Sequence, residues 1–130
     1  MIIDTQLLDK VAAEARRSPR LRMNYNLHES LDAKAQRLLN ALEPGTVLPI
    51  HRHNHTAETY ILLRGSINVI FYNDDGSRKE CFALDPRCGK YGVQIPKGQW
   101  HTLEVNEPSV IFEVKDGPYT PLEEKDILCG

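Results

Sequence analysis

The hydrophobic residues of this chain follow a helical period first and a period of two afterwards. Within segment 4–18 the apolar residues fall at the spacing of one helical face, at Leu7, Leu8, Val11, Ala12 and Ala15. Asp4 can cap the first turn, and Pro19 prevents the helix from continuing. This pattern predicts one amphipathic helix over residues 4–18.

Apolar and polar residues then alternate through segment 20–27, which predicts a half-buried strand. The apolar set is Leu21, Met23, Tyr25 and Leu27, and the polar set is Arg22, Asn24 and Asn26. One interpretation is that the polar face meets only water. The other is that this strand lies over a barrel mouth, where Arg22 and Asn24 would bind an anionic or sugar ligand, the arginine through a bidentate pair of hydrogen bonds.

Short alternating runs separated by turn residues fill the rest of the chain. Strands are predicted at 60–63, 66–72, 79–84, 93–95, 101–105 and 109–114. The Asp75-Gly76 pair is a strong hairpin signal between two of them. Many short strands after a single helix indicate an all-β sandwich or barrel. Residues after 116 are predicted to be an irregular tail, because Pro118 and Pro121 discourage regular structure.

Length and charge restrict the class of protein. A chain of 130 residues is one domain by length, and its net charge of −2 with a pI near 6.2 argues against a nucleic-acid partner. No apolar run approaches the roughly 20 residues that a membrane span needs, and the N-terminus lacks the features of a secretory signal. We therefore expect a cytoplasmic protein. The odd, widely spaced set Cys81, Cys88 and Cys129 is expected to be three reduced thiols.

Histidine spacing supplies the candidate chemistry. His51 and His53 are two residues apart, so on an extended strand both rings point to one face. Glu58 begins the next apolar run, where its carboxylate can approach the two imidazole rings. His101 begins another alternating run. Such N and O donors suit one divalent transition metal (Zn, Fe, Mn, Ni or Co) with positions left for a ligand. His55 falls in the connecting loop and is expected at the rim, outside the ligand set.

These two stretches resemble the two cupin motifs. Every position of the first motif is filled, by Gly45, His51, His53, Glu58 and Gly65, and the core of the second by Pro96, Gly98 and His101. The flanks at 37–46 and 112–119 and the N-terminal helix resemble the WbuC-type cupin-fold metalloproteins. The resemblance implies a single-domain cupin, an all-β double-stranded β-helix or jelly-roll barrel with an N-terminal helix, and makes 36–42 a strand despite its helix-favouring residues. The domain plan is an N-terminal extension over 1–29, the cupin barrel over 30–116 and a tail over 117–130.

The same resemblance implies a function linked to bacterial surface-polysaccharide metabolism and a homodimer formed through an outer sheet face. The first hypothesis is a metal-dependent isomerase or epimerase acting on a sugar or sugar-derived acid. In it the metal would polarise a carbonyl or hydroxyl group while Tyr60 or His55 shuttles a proton. The alternatives are a non-haem iron oxygenase and a non-catalytic module that binds or senses a small ligand.

Overall fold

The computed structural model describes residues 1–128, which form one α-helix, eight strands and two short 3-10 turns. The helix is α1 (Thr5–Arg17), and the turns are Pro86–Cys88 and Glu124–Asp126. The strands are β1 (Arg22–Asn26), β2 (Ala35–Leu42), β3 (Ile50–His51), β4 (Glu58–Tyr72), β5 (Arg78–Leu84), β6 (Gly92–Ile95), β7 (Trp100–Asp116) and β8 (Ile127–Leu128). The predicted all-β class with one early helix is confirmed.

Helix α1 begins and ends where its sequence signals lie. The Asp4 carboxylate accepts a hydrogen bond of 2.9 Å from the amide of Leu7, which satisfies one free donor of the first turn. The apolar side of α1 buries Val11 and Ala15 against the outward face of β1, β2 and β7. Among the described residues, no helix combines the length and the apolar character that crossing a membrane requires.

Two long strands, β4 and β7, run antiparallel along their whole lengths and organise the sheets. Each joins two runs that the sequence pattern predicts as separate strands. The pairing register shifts between Leu62 and Ile67, where both strands bend. Gly65 lies in this bend with φ +100°, and a Cβ there would overlap the Ser109 side chain, so only glycine fits.

The bend divides the strands into two packed layers. Around the first half of β4 the strand order is β1-β2-β7-β4-β6, and around its second half the order is β8-β3-β7-β4-β5. Inward side chains of both layers form the main core: Leu42, Tyr60, Leu62, Ile67, Val69, Phe71, Leu84, Ile95, Leu103 and Ile111. This arrangement is the predicted jelly roll. One end of its interior holds His51, His53 and His101.

The prediction of an irregular C-terminal tail is wrong for residues 124–128. These residues form a 3-10 turn and then β8, which pairs with Ile50 and His51 of β3. Pairing satisfies backbone groups that β3 would otherwise leave free at its edge. Asp126 secures the turn, since its carboxylate accepts hydrogen bonds from Asn54 at 2.6 Å and from Arg52 at 3.3 Å. The prolines suppress regular structure only between β7 and this turn.

Two of the three cysteines lie on or just after β5. Cys81 and Cys88 are exposed free thiols, the first on β5 and the second in the 3-10 turn that follows it. Cys129 lies outside the described residues. The expectation of three reduced thiols stays a prediction.

Candidate metal centre

Four side chains from three strands and one loop converge inside the jelly roll. His51, His53, Glu58 and His101 each present one ligand atom, and these four atoms lie within 4.8 Å of one another. Glu58 and His101 are almost fully buried, at 3% and 2% exposure, while His51 and His53 are half-buried. The structure thus brings together all four residues that the motif spacing predicts as metal ligands.

Backbone pairing fixes the positions of these ligands. His51 on β3 and His101 on β7 occupy directly opposite positions of an antiparallel ladder. The amide of Gly98, in the turn before β7, donates a 2.8 Å hydrogen bond to the carbonyl of His53, which ties the two motifs together. Glu58 is the first residue of β4, paired on one side with β6 and on the other with β7. The centre therefore rests on sheet pairing.

Carbonyl oxygens orient two of the imidazole rings. Nδ1 of His51 is 2.9 Å from the carbonyl oxygen of Pro49, and Nδ1 of His101 is 2.8 Å from that of Gln99. A carbonyl oxygen only accepts, so Nδ1 carries the proton in the neutral ring and Nε2 keeps its lone pair. Such outer-shell hydrogen bonds are what metal-ligating histidines make in proteins.

The buried polar atoms at the centre lack partners of their own. Nε2 of His53 and of His101 lie 3.0 Å and 3.4 Å from Oε1 of Glu58. Within residues 1–128, Oε1 of Glu58 and Nε2 of His101 nevertheless make no hydrogen bond of acceptable geometry. Buried polar atoms without partners are costly, and a divalent cation bound by these nitrogens and this carboxylate would satisfy them together. The residues present therefore fit a transition metal.

The protonation states of the ligands also suit a cation. Burial, together with the neighbouring His101, lowers the pKa of His51 to about 4, so the ring is neutral at pH 7. Burial alone would raise the pKa of Glu58, but its close contacts with His101 and His53 outweigh burial and hold that pKa well below its ordinary value. Metal binding needs neutral imidazoles and an ionised carboxylate, because protons compete for the same lone pairs.

A cavity of about 220 Å³ opens from this centre toward solvent. Its wall includes Arg22 and Asn24 of β1, together with Arg20 just before the strand and Lys115 of β7. Arg22 and Asn24 of β1 therefore line the cavity, and their binding of a ligand stays a prediction. Arg22 donates a 3.1 Å hydrogen bond to the carbonyl of Val47, and burial and the adjacent Arg20 lower its pKa.

Two buried polar residues of this cavity were not among the candidates from sequence. Asn40 of β2 and Glu113 of β7 are 9% and 7% exposed, and Nδ2 of Asn40 donates a 2.8 Å hydrogen bond to Oε1 of Glu113. Burial and the nearby charge of Glu58 raise the pKa of Glu113. The available signal was a polar residue within an otherwise apolar strand run, Leu38-Leu39-Asn40-Ala41-Leu42.

The two candidate proton-transfer residues lie in different surroundings. Tyr60 is buried and lines the cavity, and burial and the charges of Glu58 and Glu113 raise its pKa well above the ordinary value. His55 is exposed, and its ring centroid lies 6.3 Å from that of His53. It lines a neighbouring space of about 230 Å³ between the His53 loop and the C-terminal segment.

The C-terminal segment forms part of the cavity wall. Tyr119, Thr120 and Leu122 all line the cavity, although the sequence predicts only a tail there. The segment is held at one end by the amide of Tyr119, which donates a 2.7 Å hydrogen bond to the carbonyl of Leu31. At the other end it is held by the pairing of β8. Thr120 and Leu122 lie between these two attachments, so their positions at the cavity are held by the fold.

Solved structures of several proteins share this fold. A cupin-2 domain protein from Shewanella frigidimarina is 21% identical, with a TM-score of 0.57 over 73% of this chain and 80% of that one. KdgF from a Halomonas species is 16% identical, with a TM-score of 0.61 over 79% and 84%. The capsular polysaccharide assembling protein CapF from Staphylococcus aureus is 19% identical, with a TM-score of 0.59 over 69% and 25%.

Identities this low establish the fold alone, and the fold is that of a single-domain cupin. The present chain spans about a quarter of the length of CapF.

No curated protein matches the sequence. A family model described as "Domain of unknown function (DUF6016)" matches residues 3–84, which cover α1, β1 to β5 and three of the four converging ligands. The chain therefore belongs to the DUF6016 family.

Proposed function

We propose that this protein is a metal-dependent cupin enzyme acting on a sugar or sugar-derived acid, by isomerisation or epimerisation. The observation that carries the proposal is the convergence of His51, His53, Glu58 and His101. The first three of these line a cavity whose wall also carries cationic side chains. A ligand entering this cavity would meet the metal centre and the cations together.

His51, His53, Glu58 and His101 would hold the metal. When bound there, a divalent cation supplies Lewis-acid polarisation of a carbonyl or hydroxyl oxygen. The protein itself contributes orientation, because paired strands fix all the strand-borne ligands before any substrate binds. Arg22 and Asn24, which line the same cavity, would bind the polar or anionic part of the substrate.

Tyr60 is the residue we propose to donate the proton, through its phenol O–H, because its raised pKa keeps the phenol protonated. It is buried, it lines the same cavity as the ligands, and it lies two residues after Glu58 on the inward face of β4. His55 lines the neighbouring space, so a proton-transfer role for it would require a substrate that extends past His53.

A role in bacterial surface-polysaccharide metabolism is the finer part of the proposal. It is supported by the resemblance of the flanking sequences to WbuC-type proteins, and CapF carries a capsular-polysaccharide name. Substrate screening tests this part of the proposal, because one fold supports many chemistries. Sugars, sugar acids and nucleotide sugars are the compounds to screen.

The test combines metal analysis with a substrate screen on protein prepared without chelators or nickel resin. We expect about one zinc, manganese, nickel or cobalt per chain, and exchange of a substrate carbon-bound hydrogen with deuterated solvent, detected by proton NMR. Tyr60→Phe should abolish exchange while keeping the metal, and His55→Ala serves as the comparison variant. Stoichiometric iron with oxygen uptake would instead indicate the oxygenase. Tight ligand binding without exchange or turnover would indicate the binding module.

A further inference from the structure

The cavity of about 220 Å³ beside the metal centre has two chemically different ends. They differ in the side chains that line them besides the metal ligands. Its outer part carries guanidinium groups, which only donate hydrogen bonds, while its buried part presents oxygen atoms that accept them. Arg20 is exposed and Arg22 half-buried at the outer end, whereas Asn40 and Glu113 are buried. A ligand that satisfies both ends must therefore be unlike at its two ends.

At the buried end, one hydrogen bond determines which atoms are left for a ligand. The Asn40 amide nitrogen donates to Oε1 of Glu113, so the Asn40 carbonyl oxygen must point elsewhere. That oxygen, Oδ1, is buried and has no hydrogen-bond partner within residues 1–128. Asn40 also engages only one of the two carboxyl oxygens of Glu113, which leaves the second for another donor. This pair thus favours groups that donate hydrogen bonds, such as hydroxyls.

At the outer end, the guanidinium groups of Arg20 and Arg22 repel each other, and a bound anion would offset this repulsion. Arg20 and Arg22 both line the cavity. Arg22 uses Nη1 for the carbonyl of Val47, and a guanidinium has further donors for a ligand. Two neighbouring guanidinium groups bind carboxylate or phosphate oxygens better than any neutral group.

We propose that the cavity binds a polyhydroxylated ligand in one orientation, with its hydroxyl groups on Asn40 and Glu113 and its anionic group on Arg20 and Arg22. The anion of the ligand is then held by the protein and does not occupy the metal centre. The ligand class is a sugar whose phosphate or carboxylate lies far from the reacting carbon. This inference rests on the small-ligand site proposed above and adds the ligand's class and direction.

The first test is calorimetric titration of the zinc-loaded protein and of the metal-free protein with four probes. The probes are glucose, glucose 6-phosphate, gluconate and inorganic phosphate. We expect glucose 6-phosphate to bind at least tenfold more tightly than glucose or inorganic phosphate, with the same preference in both forms of the protein. Gluconate binding most tightly, and only when metal is present, would overturn the inference, because the anion would then bind at the metal centre.

Charge variants identify the residues that carry the preference. Arg22→Gln should lower the affinity for glucose 6-phosphate about tenfold and leave glucose binding unchanged. Arg78→Gln is the matched control, because it removes the same charge from the lining of a separate cavity near Thr102. Equal effects of the two variants would mean that net charge alone attracts the phosphate, which would contradict the assignment of Arg22.

The hydroxyl end is tested with hexyl phosphate, which has the anion and the chain length but no hydroxyl groups. The wild-type protein should bind glucose 6-phosphate at least tenfold more tightly than hexyl phosphate, and Asn40→Ala should remove most of that difference. If Asn40→Ala fails to fold, the comparison of the two phosphates on wild-type protein still shows whether the hydroxyl groups contribute to binding. Equal binding of both phosphates would overturn the role of Asn40 and Glu113.

Failure of this inference is distinct from failure of the proposed enzyme. Oriented binding without hydrogen exchange or turnover would leave the inference standing and reject the isomerase. Turnover of substrates with no preference for a distal anion would reject the inference and retain the isomerase. Absence of any preference among the four probes would reject the inference whatever the catalytic result.

Discussion

His51 and His101 occupy directly opposed positions on β3 and β7, and the centroids of their rings are 4.3 Å apart. Fifty residues of sequence separate them, so only the pairing of the two strands brings them together. Each ring is oriented by a backbone carbonyl two residues before it, from Pro49 and Gln99. The same local geometry therefore occurs twice, and Nε2 of His101 lies 3.4 Å from Oε1 of Glu58.

Loss of one converging ligand should remove the metal. His101→Ala is expected to lower zinc affinity by more than the roughly 10–100-fold that loss of an outer-shell partner costs, because a direct ligand is removed from a buried centre. Metal content after dialysis, measured by plasma emission spectrometry, is the readout. His55→Ala is the matched control and should keep its metal, since His55 lies outside the converging set. Retention of metal by His101→Ala would contradict the assignment.

Stability of the metal-free protein should fall as the pH falls from about 6.5 to about 4. The folded-state pKa of His51 is about 4 and the unfolded value is about 6.5, so in this window the unfolded chain binds a proton that the folded chain does not. The difference corresponds to about 3 kcal/mol of unfolding free energy. Above pH 6.5 neither state binds this proton, and the contribution is fully present.

Urea unfolding of the metal-free protein at several pH values measures this dependence. The His51→Gln variant should lose most of the slope between pH 6.5 and pH 4, because it has no imidazole to protonate at position 51. A wild-type stability that stays constant across this window would show that the His51 ring protonates equally well in the folded chain.

Gly65→Ala should destabilise the fold strongly. The residue has φ +100°, and a Cβ would overlap the Ser109 side chain and crowd the backbone of β7, for an expected cost of about 3 kcal/mol. Gly89→Ala is the matched control, because Gly89 also has a positive φ of +75° but has no atom within 4 Å of the added Cβ. It should cost about 1 kcal/mol. Equal losses in thermal or urea unfolding would show that backbone conformation alone matters at Gly65.

The homodimer implied by the cupin resemblance should form through the outer face of β4. Ile61 and Leu63 point outward there and are 39% and 38% exposed. Sedimentation equilibrium should give twice the chain mass of 14.8 kDa, and a double substitution of both residues by aspartate should give the monomer mass. Val47→Asp is the control on an exposed loop. A wild-type protein at the monomer mass would refute the dimer.

Much of the fold could be predicted because its signals are local. The Asp4 cap, the spacing of Val11 and Ala15 and the Asp75-Gly76 turn each act within a few residues, and the structure contains the helix and the hairpin they predict. Strand β2 is different: its leucines and alanines favour helix, and it forms a strand because β1 and β7 pair with it on both sides. The pairing outweighs the propensity.

The tail was predicted incorrectly because its order comes from distant partners. Residues 127–128 have no strong strand pattern of their own, and they become β8 because β3 offers an unpaired edge. Glu113 and Asn40 were missed as site residues for the same kind of reason. Their partnership joins residues 73 positions apart, and no spacing in the sequence expresses it.

Local patterns in the sequence specify the elements and the ligand types: one capped helix, alternating strands, and three histidines with one glutamate at motif spacing. Those properties depend on backbone periodicity and on the chemistry of single side chains. Folding of the whole chain places Arg22 and Asn24 at the cavity, joins Asn40 to Glu113 by a hydrogen bond, and brings Tyr119, Thr120 and Leu122 into the cavity lining. These are contacts between distant strands, and strand pairing in the folded chain is what creates them.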